Sequence, residues 1–260
     1  MPPAGAPEGA PILICAPHFE EKLWAHRVLL DAARCASARG HVTLRFDVSG
    51  HGDSDGEFED FSLEDFEADV VEAWNLLRER TNATPVVLGL RLGGTLAARV
   101  AARLGGRAVL WEPILDLPAW LQEMLRANLT FQIRHFGKLL KNRAQLTAEI
   151  TAGATVTVDG YGLTPSFFRS TAAASGWPEA VFPGRCEGLL VVAFRGRGVA
   201  PSAALEQAGA RWAAAGTQCA VRVVDEEAIW TDVRRYRTQA PAAVDATLRW
   251  VETPQAVTVR

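Results

Sequence analysis

The sequence predicts an α/β protein, a doubly wound, mostly parallel sheet with one inserted helical cap. Three observations predict it. Short apolar runs alternate with longer amphipathic stretches, most of the runs are apolar on both faces, and the alternation breaks once, over residues 114–186. Strands covered by helices on each side lose their polar alternation, and repeated strand–helix units build parallel sheets.

The elements follow in order. Residues 11–18 (PILICAPH), 41–48 (HVTLRFDV), 84–91 (TPVVLGLR), 107–113 (RAVLWEP), 188–194 (GLLVVAF) and 219–225 (CAVRVVD) are predicted strands. Helical patterns cover 21–39, 62–80, 92–104, 203–215 and 240–252. Ser62, with Asp65 three residues on, is the signature of a helix N-cap. Residues 1–113 and 187–260 form the core. The insertion, 114–186, begins with an amphipathic block, LPAWLQEMLRANLTFQIRHFGKLLKNR. It continues through a two-stranded piece, ATVTVDGYGLT, and returns by GWPEAVFPGR. A break of that length with structure of its own reads as a cap or lid.

Composition narrows the function classes. The chain of 260 residues is long enough for one sizeable core, and its formal charge of −3 gives no global case for nucleic acid or an anionic membrane as partner. Cys15, Cys35, Cys186 and Cys219 are scattered, with no C-x-x-C pair, and read as reduced thiols. The opening MPPAGAPEGA has neither a basic region nor an apolar stretch, so no signal peptide is expected and a cytoplasmic location is. No run approaches membrane-spanning length, no metal-ligand spacing occurs, and no cofactor is expected.

Residues 89–93 read Gly-Leu-Arg-Leu-Gly, between a strand and a small-residue helix. This is the outline of a G-x-S-x-G nucleophile turn with arginine at its centre. It is not a phosphate loop, since the lysine–hydroxyl pair is missing. Together with FDVSGHGDSDG (46–56) and PHFEEKLWAHR (17–27), it makes the sequence resemble the α/β-hydrolase superfamily, in particular its serine-aminopeptidase-like group. PHFEE, GHGDSDGEFED, GLRLGG, VLWEPIL and VDGYGLT are most similar to the type 2 hydrolase family associated with exosortase systems. The resemblance implies an α/β-hydrolase fold and a cell-envelope or exopolysaccharide setting. It also implies a structural role for His51 and Ser54 in their loop. Only residues 1–10 precede the first predicted strand, leaving little room for the antiparallel hairpin that opens many such sheets.

In that superfamily a serine, an acid and a histidine follow one another along the chain. Here the first is Arg91, no carboxylate lies between Arg195 and Ser202, and no histidine follows His135. A guanidinium stays protonated and cannot attack a carbonyl. Two readings of the altered turn remain open. Arg91, the Leu92 amide and an amide from Phe19 or Glu20 can cradle a small anionic or acyl ligand at a helix N-terminus. Alternatively, Glu112, Asp116, Glu226 or Glu227 neutralises Arg91 internally. The basic block of the cap, Arg126, Arg134, Lys138, Lys141 and Arg143 with His135, favours an anionic ligand if it faces the turn. Trp111, Trp120, Leu121 and Leu125 are candidates for an apolar wall. A binding protein, for ligand or protein partner, is therefore expected. The alternative is a hydrolase using His18 as general base toward water.

Overall fold

The computed structural model describes residues 9–174, 186–196, 202–231 and 237–253. The chain runs β1 (Gly9–Cys15), α1 (Phe19–Ala38), β2 (His41–Arg45), α2 (Leu63–Thr81), β3 (Val86–Leu90), α3 (Leu92–Leu104) and β4 (Gly106–Trp111). The insertion then supplies α4 (Leu117–Phe136), α5 (Arg143–Thr151), β5 (Val156–Val158), β6 (Tyr161–Leu163) and α6 (Pro165–Ala173). The core resumes with β7 (Cys186–Phe194), α7 (Ala203–Ala214), β8 (Cys219–Val224) and α8 (Pro241–Glu252). Among the described residues the main sheet has six strands in the order β2-β1-β3-β4-β7-β8, and every neighbouring pair is parallel. The doubly wound sheet expected from the sequence is present. The GWPEAVFPGR return lies outside the described residues.

Alternate side chains of each strand feed opposite layers, as the two-residue period of a strand requires. Ile12 and Ile14 pack with Leu88, Leu190 and Val192 against α1 and α8, through Val28, Leu29, Val244 and Leu248. Leu13 and Cys15 pack with Val87, Leu110 and Val191 against α2, α3 and the insertion. Burial on both faces explains the unbroken apolar runs. Each fully buried aliphatic side chain contributes roughly 1.5–3 kcal/mol.

Local signals set the ends of the elements. Ser62 and Asp65 form the reciprocal capping box that starts α2, and a second one, Asn142 with Gln145, starts α5. The two-stranded piece is the hairpin β5–β6, turned by Asp159 and Gly160 at φ of 48° and 87°. Both positive values suit the Asp-Gly pair, because glycine has no Cβ to clash and aspartate tolerates the left-handed region.

The insertion is tied to the core by aromatic packing around Phe19. Its ring lies 5.2 Å from Phe58, 5.3 Å from Phe167, 6.0 Å from Tyr161 and 6.1 Å from Trp120. Such contacts contribute about 0.5–1.5 kcal/mol each beyond the area they bury. The first residue of α1 thus pins three insertion elements over the C-terminal edge of the sheet.

Candidate active site

The turn from β3 to α3 is built as a nucleophile elbow is built. Arg91 holds φ 55° and ψ −122°, a backbone conformation costing a non-glycine residue about 1–3 kcal/mol. Neighbouring bonds fix it. The Arg91 amide donates to Trp111 O at 3.0 Å, and the Thr95 amide donates to Arg91 O at 3.1 Å. The Thr95 hydroxyl bridges Ile114, donating to its oxygen at 2.9 Å and accepting from its amide at 3.1 Å. The flanking glycines are steric necessities. A Cβ on Gly89 would lie 2.1 Å from Gly93 O, and one on Gly93 would lie 2.4 Å from the oxygens of Cys15 and Ala16. These requirements belong to the turn and are independent of the residue at its tip.

At the tip, Arg91 is held. Its Nε donates to Glu21 Oε1 at 3.0 Å, its Nη1 reaches Glu112 O at 3.5 Å, and its guanidinium lies 5.2 Å from the centre of the Trp230 ring. The Arg91 and Glu21 side chains are 18% and 19% exposed, so the pair is mostly shielded from solvent. Burial pushes the Glu21 carboxyl above its ordinary range; Arg91 opposes that rise and Glu123 adds to it.

None of the four carboxylates expected to neutralise Arg91 does so through its side chain. Glu112 Oε1 instead accepts from the Phe194 amide at 2.9 Å and from Arg195 Nη1, because β4 and β7 are neighbours and their ends meet. Asp116 caps α4 through the Ala119 amide at 2.8 Å. Glu226 accepts from the amides of Ala242 and Ala243 at the start of α8, and Glu227 pairs with Arg237.

A cavity of about 250 Å³ opens beside Arg91 under the insertion. Of the predicted site residues, His18, Phe19, Glu20 and Arg91 line it; Glu112 and Leu92 do not. Leu92 is fully buried, with its side chain in the core. Trp120, Met124, Val158 and Trp230 complete an apolar wall, and Glu21, Glu123 and Asp159 join Glu20 as its carboxylates. Of the expected wall residues only Trp120 takes part. Trp111 is a core residue whose Nε1 donates to Thr247 Oγ1 at 2.9 Å, and Leu121 and Leu125 also face the core. The basic block of the insertion is exposed and absent from the cavity wall, so it cannot supply the positive field expected of it there.

His18 sits at the N-cap of α1, 3% exposed, its ring 4.7 Å from Phe66 and 5.0 Å from His51. Neither of its ring nitrogens has a hydrogen-bond partner among the described residues. Burial, then the nearby His51 and Lys22, holds its basicity well below the usual imidazole range. His51 Nδ1 donates to Ser49 O at 3.3 Å, and Ser54 Oγ donates to Asp47 O at 2.7 Å. Both brace the 46–56 loop. The four cysteines are free, and burial pushes the Cys186 thiol up to about 12 and that of Cys15 higher still. Among the described residues no group of three His, Cys, Asp or Glu could hold a metal ion.

Sequence reasoning missed Glu21, Glu123, Asp159 and Trp230. Glu21 follows His18 by three residues in the first turn of α1, and Trp230 lies in the segment after the last strand.

The fold is shared with solved hydrolases. Est1E from Butyrivibrio proteoclasticus, solved with ferulic acid bound, superposes with a TM-score of 0.59 at 17% identity, over 97% of this chain and 90% of that one. An esterase from Thermogutta terrifontis, solved with butyrate bound, gives 0.57 at 13% identity, over 96% and 86%. Alpha/beta hydrolase domain-containing protein 10 from mouse gives 0.55 at 16%, over 95% and 90%. No curated protein matches the chain. The family profile described as the alpha/beta hydrolase family matches residues 15–257, and with the elbow, sheet order and inserted helices above, the chain belongs to the alpha/beta hydrolase family.

Proposed function

We propose that this chain is a ligand-binding protein that uses the chamber of a hydrolase fold without an acyl-enzyme step. One observation carries the reading. The tip of the elbow is an arginine bound to Glu21 and stacked on Trp230, in the position from which the fold would present a nucleophile. No hydroxyl stands there to be acylated, and no histidine follows His135 to activate one.

The wall supports a ligand class different from the anion expected from Arg91 alone. That expectation needs an unpaired cation, whereas the charge of Arg91 is answered by Glu21. Glu123 and Asp159 also line the wall, and among the described residues no second lysine or arginine does. A low-dielectric pocket of net negative charge favours a cationic head group, and Phe19, Trp120, Met124 and Trp230 favour an apolar body beside it. The ligand proposed is a small aryl or alkyl amine. The likeness of the GLRLGG and GHGDSDGEFED segments to the exosortase-associated family supports a role in a cell-envelope or exopolysaccharide pathway.

Hydrolysis with His18 as general base is the second reading, supported by the place of His18 on the same wall. Against it stands the depressed basicity of that ring, since an effective base titrates near the working pH. A thermal-shift comparison of phenethylamine with phenylpropionate tests the proposal. The amine should raise the melting temperature by mass action, and Glu123→Gln with Asp159→Asn should abolish the shift. Stabilisation by the carboxylate alone, lost in Arg91→Ala, would reinstate the anion. Turnover of an aryl ester, lost in His18→Ala, would establish the enzyme.

A further inference from the structure

Five of the eight large exposed hydrophobic side chains among the described residues fall within ten positions: Phe131, Ile133, Phe136, Leu139 and Leu140. They cover the last turns of α4 and the turn toward α5, each 46–57% exposed. Between Glu123 and Glu149 the chain has no acid, and the same stretch carries five lysines and arginines. Of these, Lys141 pairs with Glu149 at 2.7 Å, while Arg134, Lys138 and Arg143 hold no ion pair among the described residues.

The turn is built to present these groups. Gln132, buried inside it, accepts from the Leu140 and Lys141 amides at 2.7 and 2.8 Å and donates to Lys141 O at 3.1 Å and Asn128 Oδ1 at 2.7 Å. Gly137 ends α4 at φ 68°, and a Cβ placed on it would meet nothing within 4 Å, so the chain reverses into open space. The Phe131 ring stacks on His135 at 4.9 Å, and Phe136 meets both rings edge-on.

We propose that this apolar, cationic turn docks the protein peripherally on an anionic bilayer. Aromatic and leucine side chains enter the boundary between headgroups and acyl chains, while lysine and arginine keep their stems in it and their charges at the phosphates. Lysine is depleted from the centres of protein–protein interfaces, which makes lipid the better match to this composition. The formal charge of −3 does not oppose docking, because screening over about 8 Å leaves the local cations in control. No described helix is long and apolar enough to cross a membrane, so the contact is superficial. Met124, on the cavity wall, lies on the same helix as Phe136, roughly 18 Å away at 1.5 Å per residue. Docking therefore brings the chamber close to the lipid surface, whatever its ligand.

The test is co-sedimentation of the full chain with phosphatidylcholine vesicles, with and without about a third phosphatidylglycerol. Binding should require the anionic lipid and weaken as salt is raised. Phe136→Ser with Leu140→Ser, and separately Arg134→Glu with Lys138→Glu, should each lower it at least about tenfold. All four positions are exposed, so circular dichroism and melting temperature should stay unchanged. Failure to bind either vesicle, or equal binding by the variants, would overturn the proposal. So would a dimer in sedimentation velocity that Phe136→Ser dissociates, since a second copy would then cover the turn.

Discussion

Exchanging Arg91 for methionine tests whether the elbow tip is a structural clasp or a waiting cation. The substitution keeps the length of the side chain and removes its charge, its hydrogen bond to Glu21 and its stacking on Trp230. Breaking one side of a fully buried ion pair costs about 3–5 kcal/mol, and an exposed pair is worth about 0–1 kcal/mol. With one bond at 3.0 Å and side chains about one-fifth exposed, the pair falls between, near 2 kcal/mol. The lost ring contact adds about 0.5 kcal/mol. For a chain of this size that lowers the melting temperature by roughly 5–10 °C. Glu21→Gln keeps an acceptor for the arginine and should cost about 1 kcal/mol, and the double variant should cost less than the sum, with a coupling of about 1–2 kcal/mol. Urea unfolding of the four proteins measures the cycle. The sign of the pH dependence is also fixed. Burial raises the Glu21 carboxyl, and removing Arg91 raises it further, so the folded variant binds a proton before the unfolded chain does. The deficit of Arg91→Met should be complete at neutral pH and shrink as pH falls through that raised value. A variant within 0.5 kcal/mol of the parent (about the limit of such measurements), or a coupling near zero, would refute the clasp and leave Arg91 available to a ligand.

Three further outcomes follow from the same geometry. Arg91→Ser should gain no appreciable esterase activity and no fluorophosphonate labelling, because a serine hydroxyl is a weak nucleophile without a base; stoichiometric labelling at position 91 would contradict this. Gly93→Ala should destabilise by about 3 kcal/mol or more in urea unfolding, since its Cβ would press on two carbonyl oxygens, whereas Gly153→Ala, in open space, should cost about 1 kcal/mol; equal effects would show that the elbow can relax. His18 and His51 are both held less basic than usual, chiefly by burial, so the unfolded chain takes up protons first; stability to urea should be level above about pH 6.5 and fall between there and about pH 5, and a flat profile over that window would contradict the burial of both rings.

The fold was legible because burial on both faces leaves its mark in the central strands. Val86–Leu90 and Leu189–Val192 are apolar at consecutive positions and buried at consecutive positions, and the capping pair Ser62–Asp65 marks the start of α2. The elbow was legible for a different reason. Gly89 and Gly93 are fixed by clashes with backbone, so they persist whatever stands between them.

The partner of Arg91 was not legible, and the competing carboxylates show why. Reasoning along the chain favours acids at strand ends, where the topology brings loops together, and four stand there. Each meets a nearer demand first. Asp116 and Glu226 are taken by the unsatisfied amides that begin α4 and α8, donors present at any helix start and needing no distant contact. Glu112 meets Arg195 because adjacent strands end side by side, and Glu227 meets Arg237 across the short return to α8. Glu21 begins no helix and ends no strand; it projects from the first turn of α1 while its Oε2 finds no partner among the described residues. Its attraction to Arg91, across 70 residues of sequence, is what remains after local hydrogen bonds have claimed the other acids. The same logic governs the cavity wall. Glu123 and Asp159 come from a helix and a hairpin turn of the insertion, and the packing of the insertion on the core, with the aromatic contacts around Phe19, brings them over the elbow. The charge of the chamber is therefore set by how the insertion docks, a property that no single motif carries.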